Sequence, residues 1–101
     1  MIERTQIDFE GVGDAALRHS DALVSQWLPH GRREGHEWVA LNPLRDDRKP
    51  GSFRINLITG KWADFAIGEK GGDLISLAAY LSGCNQREAA VRVSEMIGID
   101  A

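Results

Sequence analysis

The sequence predicts an α+β domain in which a small antiparallel β-sheet is flanked by an N-terminal helix and two C-terminal helices. Three observations support this fold class. Apolar residues recur at helical spacing over 14–28, they alternate with polar residues over 52–57 and 61–66, and helical spacing returns after residue 73. A run of strands between helices is typical of an antiparallel sheet covered by helices. The length of 101 residues indicates a single domain, 1–101.

The N-terminal helix is predicted over 14–28. Asp14 has a side chain suited to capping its start, while Pro29 and Gly31 end it. The first twelve residues contain little that fixes a structure. The segment 29–36 is predicted to be a loop, because a proline and two glycines interrupt any period.

Three strands are predicted next, over 37–41, 52–57 and 61–66. The second alternates, so Phe53, Ile55 and Leu57 share one face while Arg54 and Asn56 point the other way. A Thr-Gly turn signal at 59–60 joins the second and third strands in a hairpin. The segments 42–51 and 68–72 are predicted to be loops.

Two helices complete the chain. Asp73 caps the first, which runs to about Ser82 and is ended by Gly83. The second covers 86–97, with Ala89, Ala90, Val93, Met96 and Ile97 along one side.

Composition and charge narrow the possible functions. With 43% hydrophobic and 27% charged residues, the chain is expected to be globular, and no apolar run approaches the ~18 residues of a membrane span. No secretory signal opens the sequence, and a lone Cys84 fits the cytoplasm, where thiols stay reduced. The net charge of −3 is uneven, since eight of the twelve Lys and Arg residues lie between residues 30 and 70.

Four sequence blocks between residues 42 and 73 carry a family resemblance. They are Asn42-Pro43-Leu44-Arg45, then Lys49-Pro50-Gly51-Ser52-Phe53-Arg54-Ile55-Asn56, then Thr59-Gly60-Lys61-Trp62, and finally Asp64-Phe65-Ala66-Ile67-Gly68 with Gly71-Gly72-Asp73. In this order they resemble the zinc-binding domain at the N-terminus of DnaG-type primases, and most closely the same module of phage and plasmid primase-helicases. The resemblance implies a zinc-ribbon-like sheet and covers 36–98 as the family core. Residues 1–35 are interpreted as an N-terminal helical addition.

The positions of the family's zinc ligands are occupied by other residues. By the resemblance they hold Asn42, Arg45, Asp64 and Ile67, and structural zinc needs four thiolate or imidazole ligands. Arginine and isoleucine offer no ligand, so the domain is expected to be metal-free and without a cofactor. An ion pair between Arg45 and Asp64 is the predicted replacement, with a hydrogen bond from Asn42 and Ile67 packed beneath as an apolar plug. The alternative is that both charges are merely solvated at the surface.

Enzymatic motifs are weak. The glycines of 68–72 lack the spacing and the hydroxyl of a phosphate-binding loop. No nucleophile–histidine arrangement stands out, and Asp46 and Asp47 fit a solvated loop. The resemblance implies that the polymerising carboxylates belong to a separate downstream domain, so the chain is expected not to be an enzyme.

Contact with single-stranded DNA is the remaining chemistry, and it requires cations along the backbone and aromatic faces for bases. The candidate nucleic-acid-binding residues are Arg45, Arg48, Lys49, Arg54, Lys61, Trp62 and Lys70, with Trp38 and Phe65 as further aromatic candidates. An ordinary solvated sheet face with buried tryptophans is the alternative.

The sequence therefore favours a non-catalytic DNA-binding module of a DNA primase or primase-helicase, which contacts the single-stranded template during replication. Its partners would be that DNA and a primase or helicase catalytic domain or another replication protein, with no membrane. The alternative is a stand-alone interaction module of a phage or mobile genetic element, which docks on replication proteins through the helices at 14–28 and 86–97.

Overall fold

A computed structural model describes residues 6–45 and 51–100. Its elements, in chain order, are α1 (Phe9–Arg18), α2 (Ser20–Trp27), β1 (Arg32–Glu34), β2 (Glu37–Ala40), β3 (Phe53–Asn56), β4 (Trp62–Asp64), β5 (Glu69–Gly71), α3 (Leu74–Ser82) and α4 (Gln86–Ile97). The five strands form one antiparallel sheet in the order β1-β2-β3-β4-β5. The α+β class and the zinc-ribbon-like antiparallel sheet flanked by helices are confirmed.

The N-terminal region differs from the prediction, because it contains two helices instead of one. The first begins at Phe9, where the Asp8 carboxylate accepts a hydrogen bond from the Gly11 amide at 2.9 Å. Asp14 lies inside α1 and does not cap it. The chain bends at His19, and Ser20 then donates its hydroxyl to the Leu57 carbonyl at 2.7 Å, which ties α2 to the end of the sheet.

Two strands lie where loops were predicted. The edge strand β1 forms a hairpin with β2 around Gly35, whose φ of +62° favours glycine. The other edge strand, β5, pairs Gly71 with Trp62 of β4. A Cβ on Gly71 would collide with the Trp62 indole and the Ser76 hydroxyl, so a glycine is required at this position.

The core lies between one face of the sheet and the four helices. Phe53 and Ile55 of β3 are fully buried on this inner face, beside Trp62 of β4. The Trp62 ring lies 4.9 Å from that of Tyr80 on α3, and its indole N–H donates to Ser76 at 2.9 Å. The two C-terminal helices lie where the sequence predicts them. Asp73 forms a capping box at the start of α3, and a glycine in the left-handed conformation ends each of the two helices.

Candidate functional site

Two tight turns meet at one end of the sheet and share the same hydrogen-bond pattern. In the first, the Asn42 side-chain oxygen accepts from the Leu44 amide at 2.9 Å and the Asn42 carbonyl accepts from the Arg45 amide at 3.0 Å. In the second, Asp64 Oδ1 accepts from the Ala66 amide at 3.0 Å and the Asp64 carbonyl from the Ile67 amide at 3.3 Å. Each turn is therefore closed by the side chain of its first residue.

Side chains join the two turns in a group that we call the polar cluster: Asn42, Arg45, Asp64 and Tyr80. Arg45 Nη1 donates to both carboxylate oxygens of Asp64, at 2.9 and 3.1 Å. Asn42 Nδ2 donates to Asp64 Oδ2 at 3.0 Å and to the Tyr80 hydroxyl at 2.9 Å. The predicted ion pair and the Asn42 hydrogen bond are confirmed.

Burial makes these contacts energetically important. Asp64 is 0% exposed and Asn42 is 1% exposed, while the Arg45 side chain keeps 29% of its surface. Burial raises the pKa of the Asp64 carboxyl, but hydrogen bonds from Asn42, Arg45, the Ala66 amide and Ser52 outweigh it and hold this pKa below its ordinary value of 3.8. Asp64 is therefore an anion within the folded protein at neutral pH.

The prediction for Ile67 is wrong. Its side chain is 48% exposed and does not plug the cluster from beneath. The reason is the turn itself, because Ile67 is the fourth residue of a turn closed by its own amide on the Asp64 carbonyl. Tyr80 was not predicted from the sequence, although it is the aromatic residue of helix α3 and carries a hydroxyl.

The outer face of the sheet carries the remaining described candidates. Opposite residues on paired strands share a face, and the register places Arg54, Ala63 and Lys70 in one row across β3, β4 and β5. Alternation adds Lys61 and Phe65 at the two ends of β4. We call the group Arg54, Asn56, Lys61, Phe65 and Lys70 the open face. A shallow depression of about 360 Å³ runs across it and is lined by four of these five residues, Lys70 being the exception.

Charges on the open face are unequally compensated. Arg54 Nη1 lies 3.1 Å from Glu37 Oε1 and 3.7 Å from Glu34 Oε1, so its charge is largely balanced. Lys61 and Lys70 are exposed and form no ion pair with any residue in 6–45 or 51–100. Phe65 is 72% exposed on the same face, at the opposite end of β4 from Lys61.

The remaining predicted site residues include two tryptophans, Trp62 and Trp38. Trp62 is only 5% exposed and packs in the core, so its ring faces are not open to a base and we leave it out of the open face. Trp38 points inward as well, where its indole N–H donates to the Leu28 carbonyl at 3.0 Å. Arg48 and Lys49 lie outside the described residues. The Nη1 donor of Arg45 is directed at Asp64 within the polar cluster.

The fold and this site define a class: a small α+β domain whose zinc-ribbon-like sheet has helices on one face and an open, partly basic face on the other. The same architecture occurs in the crystal structure of the Aquifex aeolicus primase that contains its zinc-binding and RNA polymerase domains. The two superpose with a TM-score of 0.78 at 18% sequence identity, over 96% of this chain and 23% of that chain. The match therefore extends into residues 1–35, and this chain spans about a quarter of the primase chain.

This structural likeness is one of fold. No protein-family model matches the sequence, and no curated protein matches it. Among the described residues, no three His, Cys, Asp or Glu side chains form a group that could hold a metal ion. None of the described helices has the length and apolar character needed to cross a membrane.

Proposed function

We propose that this chain is a non-catalytic, metal-free DNA-binding module of a DNA primase or primase-helicase, and that it contacts single-stranded template through the open face. The observation that supports this proposal is the exposed Phe65 on the same face as two lysines, Lys61 and Lys70, that form no ion pair within the described part of the chain. The likeness to part of a bacterial primase supports the replication context.

The open face has the chemistry that single-stranded DNA requires. Lysines attract the phosphate backbone, and an exposed aromatic ring stacks on a base with about 1–3 kcal/mol per base. The Asn56 side-chain oxygen is not available to accept from a base, because it already accepts from the Ile58 and Thr59 amides. Binding through charge and stacking tolerates many template sequences, so we expect weak sequence preference.

The role of the module is positioning. Primer synthesis would be carried out by another domain or chain, which fits a chain that matches about a quarter of the neighbouring primase. The order of the sequence blocks over 42–73 favours a phage or plasmid primase-helicase as the parent system. The module would then act in the cytoplasm, where its single cysteine stays reduced.

Fluorescence anisotropy with labelled single-stranded DNA at low salt tests the proposal. The double variant Lys61→Ala/Lys70→Ala should weaken binding at least tenfold. It should also make the negative slope of log affinity against log salt concentration shallower by about 1.4, since each phosphate contact contributes about 0.7 to its magnitude. The matched control is Arg18→Ala/Arg92→Ala, which removes two cations from α1 and α4. Equal effects of the two double variants would refute an open-face interface.

The aromatic contribution has its own pair of variants. Phe65→Ala should weaken binding about fivefold or more, because it removes one stacking surface. Phe9→Ala removes another exposed phenylalanine, 42% exposed on α1, and should leave affinity unchanged. If Phe65→Ala binds DNA as tightly as the wild-type protein, base stacking on Phe65 does not contribute to binding.

A groove between the helices favours a second candidate, docking on a replication protein. It has a volume of about 290 Å³ and is lined by Trp27 of α2, Pro43, and residues of α3 and α4 that include Leu81 and Met96. Sedimentation of the chain with a purified primase or helicase catalytic domain tests this candidate. Met96→Glu should abolish such a complex while leaving DNA affinity intact.

A further inference from the structure

The likeness in fold to a primase with a zinc-binding domain implies a zinc site. Four residues of the two turns have the sequence spacing of zinc ligands. Asn42 with Arg45, and Asp64 with Ile67, stand at the separation of two Cys-x-x-Cys pairs, the arrangement of many structural zinc sites. The neighbouring primase structure contains a zinc-binding domain. Whether this chain suits the metal therefore depends on the side chains at these four positions.

These residues do not fit zinc. Arg45 is a cation, which repels the metal, and Ile67 is an exposed hydrocarbon side chain. Asn42 is an amide whose nitrogen already donates twice. Only Asp64 has a ligand atom that zinc prefers, and both of its oxygens accept hydrogen bonds within the cluster.

We propose that the Arg45 guanidinium is the internal cation that replaces a structural metal in this fold. A structural zinc ion would hold two turns together by binding anionic ligands from both. Here Arg45 comes from the first turn and binds the carboxylate of Asp64 from the second, at 2.9 Å. The cation is covalently part of the chain, so folding needs no metal.

Further hydrogen bonds within the polar cluster also connect the two turns. Asn42 crosses between the turns to Asp64, and it also reaches Tyr80, which attaches the joined turns to α3. Ser52, at the start of β3, receives a longer contact of 3.5 Å from Arg45. No buried side-chain nitrogen or oxygen of the described residues is left without a partner, so the cluster has no vacant polar position.

This inference concerns what stabilises the fold, and it holds whether or not the open face binds DNA. The first measurement is metal content of the full chain by mass spectrometry, together with thermal unfolding with and without a strong chelator. We expect less than about 0.1 zinc per chain and an unchanged Tm, since a structural metal supplies folding free energy that a chelator would remove. One zinc per chain, or a Tm lowered by the chelator, overturns the proposal.

The second measurement compares two arginine variants in thermal unfolding. Arg45→Met keeps the side-chain stem and removes the charge, which leaves a buried carboxylate unpaired and should lower Tm by more than about 10 °C. Arg33→Met removes an arginine from the exposed pair with Asp21 and should lower Tm by less than about 4 °C. Equal shifts would overturn the proposal.

A third variant identifies the charge as the cause. Adding Asp64→Asn to Arg45→Met removes the unpaired anion and keeps a side-chain oxygen that can accept from the Ala66 amide, so the double variant should unfold at a higher temperature than Arg45→Met alone. A double variant that is less stable than Arg45→Met overturns the role of the pair. If Arg45→Met does not fold, the metal content and chelator response of the unmodified chain decide the question.

Discussion

Tyr80→Phe is the most informative single change in the polar cluster. It removes only the hydroxyl oxygen and keeps the ring against Trp62, 4.9 Å between centroids. The lost oxygen accepts a 2.9 Å hydrogen bond from Asn42 Nδ2. Because Asn42 is 1% exposed, the change removes an acceptor from a buried N–H.

The expected cost follows from that unsatisfied donor. An unpaired buried polar group costs about 1–3 kcal/mol, and about 1 kcal/mol shifts Tm by about 4–8 °C in a domain of this size. Tyr80→Phe should therefore lower Tm by about 4–24 °C. Urea unfolding followed by circular dichroism should give a lower midpoint with an unchanged slope, since the surface exposed on unfolding stays the same.

Two controls make the result specific. Ser25→Ala removes a hydroxyl from the surface of α2 that donates to the Ala22 carbonyl at 3.3 Å, and it should cost less than about 0.5 kcal/mol. In a double-mutant cycle, Asn42→Ala and Tyr80→Phe should be non-additive by about 0.5 kcal/mol or more. A Tyr80→Phe protein as stable as the wild type, or an additive cycle, would show that Asn42 does not depend on Tyr80.

Three further predictions test the cluster, the sheet edge and the N-terminal helix. The lowered pKa of Asp64 means that its stabilisation is present above the ordinary pKa of 3.8 and is lost as pH falls through the folded-state pKa. Urea unfolding from about pH 6 to pH 2.5 should thus give a smaller acid-induced loss of stability for Asp64→Asn than for wild type, and equal losses would contradict this linkage. Gly71→Ala should cost about 1–3 kcal/mol because of its collision with the indole and hydroxyl above it, whereas Gly72→Ala, with open space around its Cβ, should be tolerated in the same unfolding assay. Asp8→Ala should lower the unfolding free energy by about 1 kcal/mol and Asp14→Ala should not; the reverse order would place the helix start at residue 14.

Local signals explain which elements the sequence predicts well. The helix α3 has a capping residue, an apolar run and a left-handed glycine in the right order, and α4 shows the same kind of signals. The hairpin of β3 and β4 is predicted because Phe53 and Ile55 alternate with polar residues and a glycine turn follows. These features are all encoded within a few neighbouring residues.

The missed elements depend on tertiary contacts. The strand β1 consists of charged residues, and β5 is two charged residues and a glycine, so neither has an alternating pattern of apolar residues. Both exist because a neighbouring strand pairs with them. Gly11 and Gly13 lower the helix propensity of α1, which hides its start at Phe9. Packing of α1 against α3 and α4 compensates for this cost.

The polar cluster shows how far a sequence predicts a site. Opposite charges at two of the ligand positions that the resemblance implies predict the Arg45–Asp64 pair. Tyr80 is far from both turns in sequence, and no spacing rule connects it with Asn42. The burial of Trp62 likewise depends on how α3 crosses the sheet, so an aromatic residue in a strand gives no direct measure of exposure.

On the proposal that Arg45 takes the place of a structural metal, the apolar core supplies the stability that a metal would otherwise add. Phe53, Ile55 and Trp62 on the inner face pack against helices that bury Ile75 and Leu77 completely. That apolar burial is non-directional, and it does not fix the geometry of two polar turns at the end of the sheet. Directional bonds must do so, and the polar cluster provides them through one ion pair, one amide and one phenol. The apolar core thus supplies stability, and the polar cluster fixes the geometry of the two turns. In the smallest domains a single structural metal ion does both.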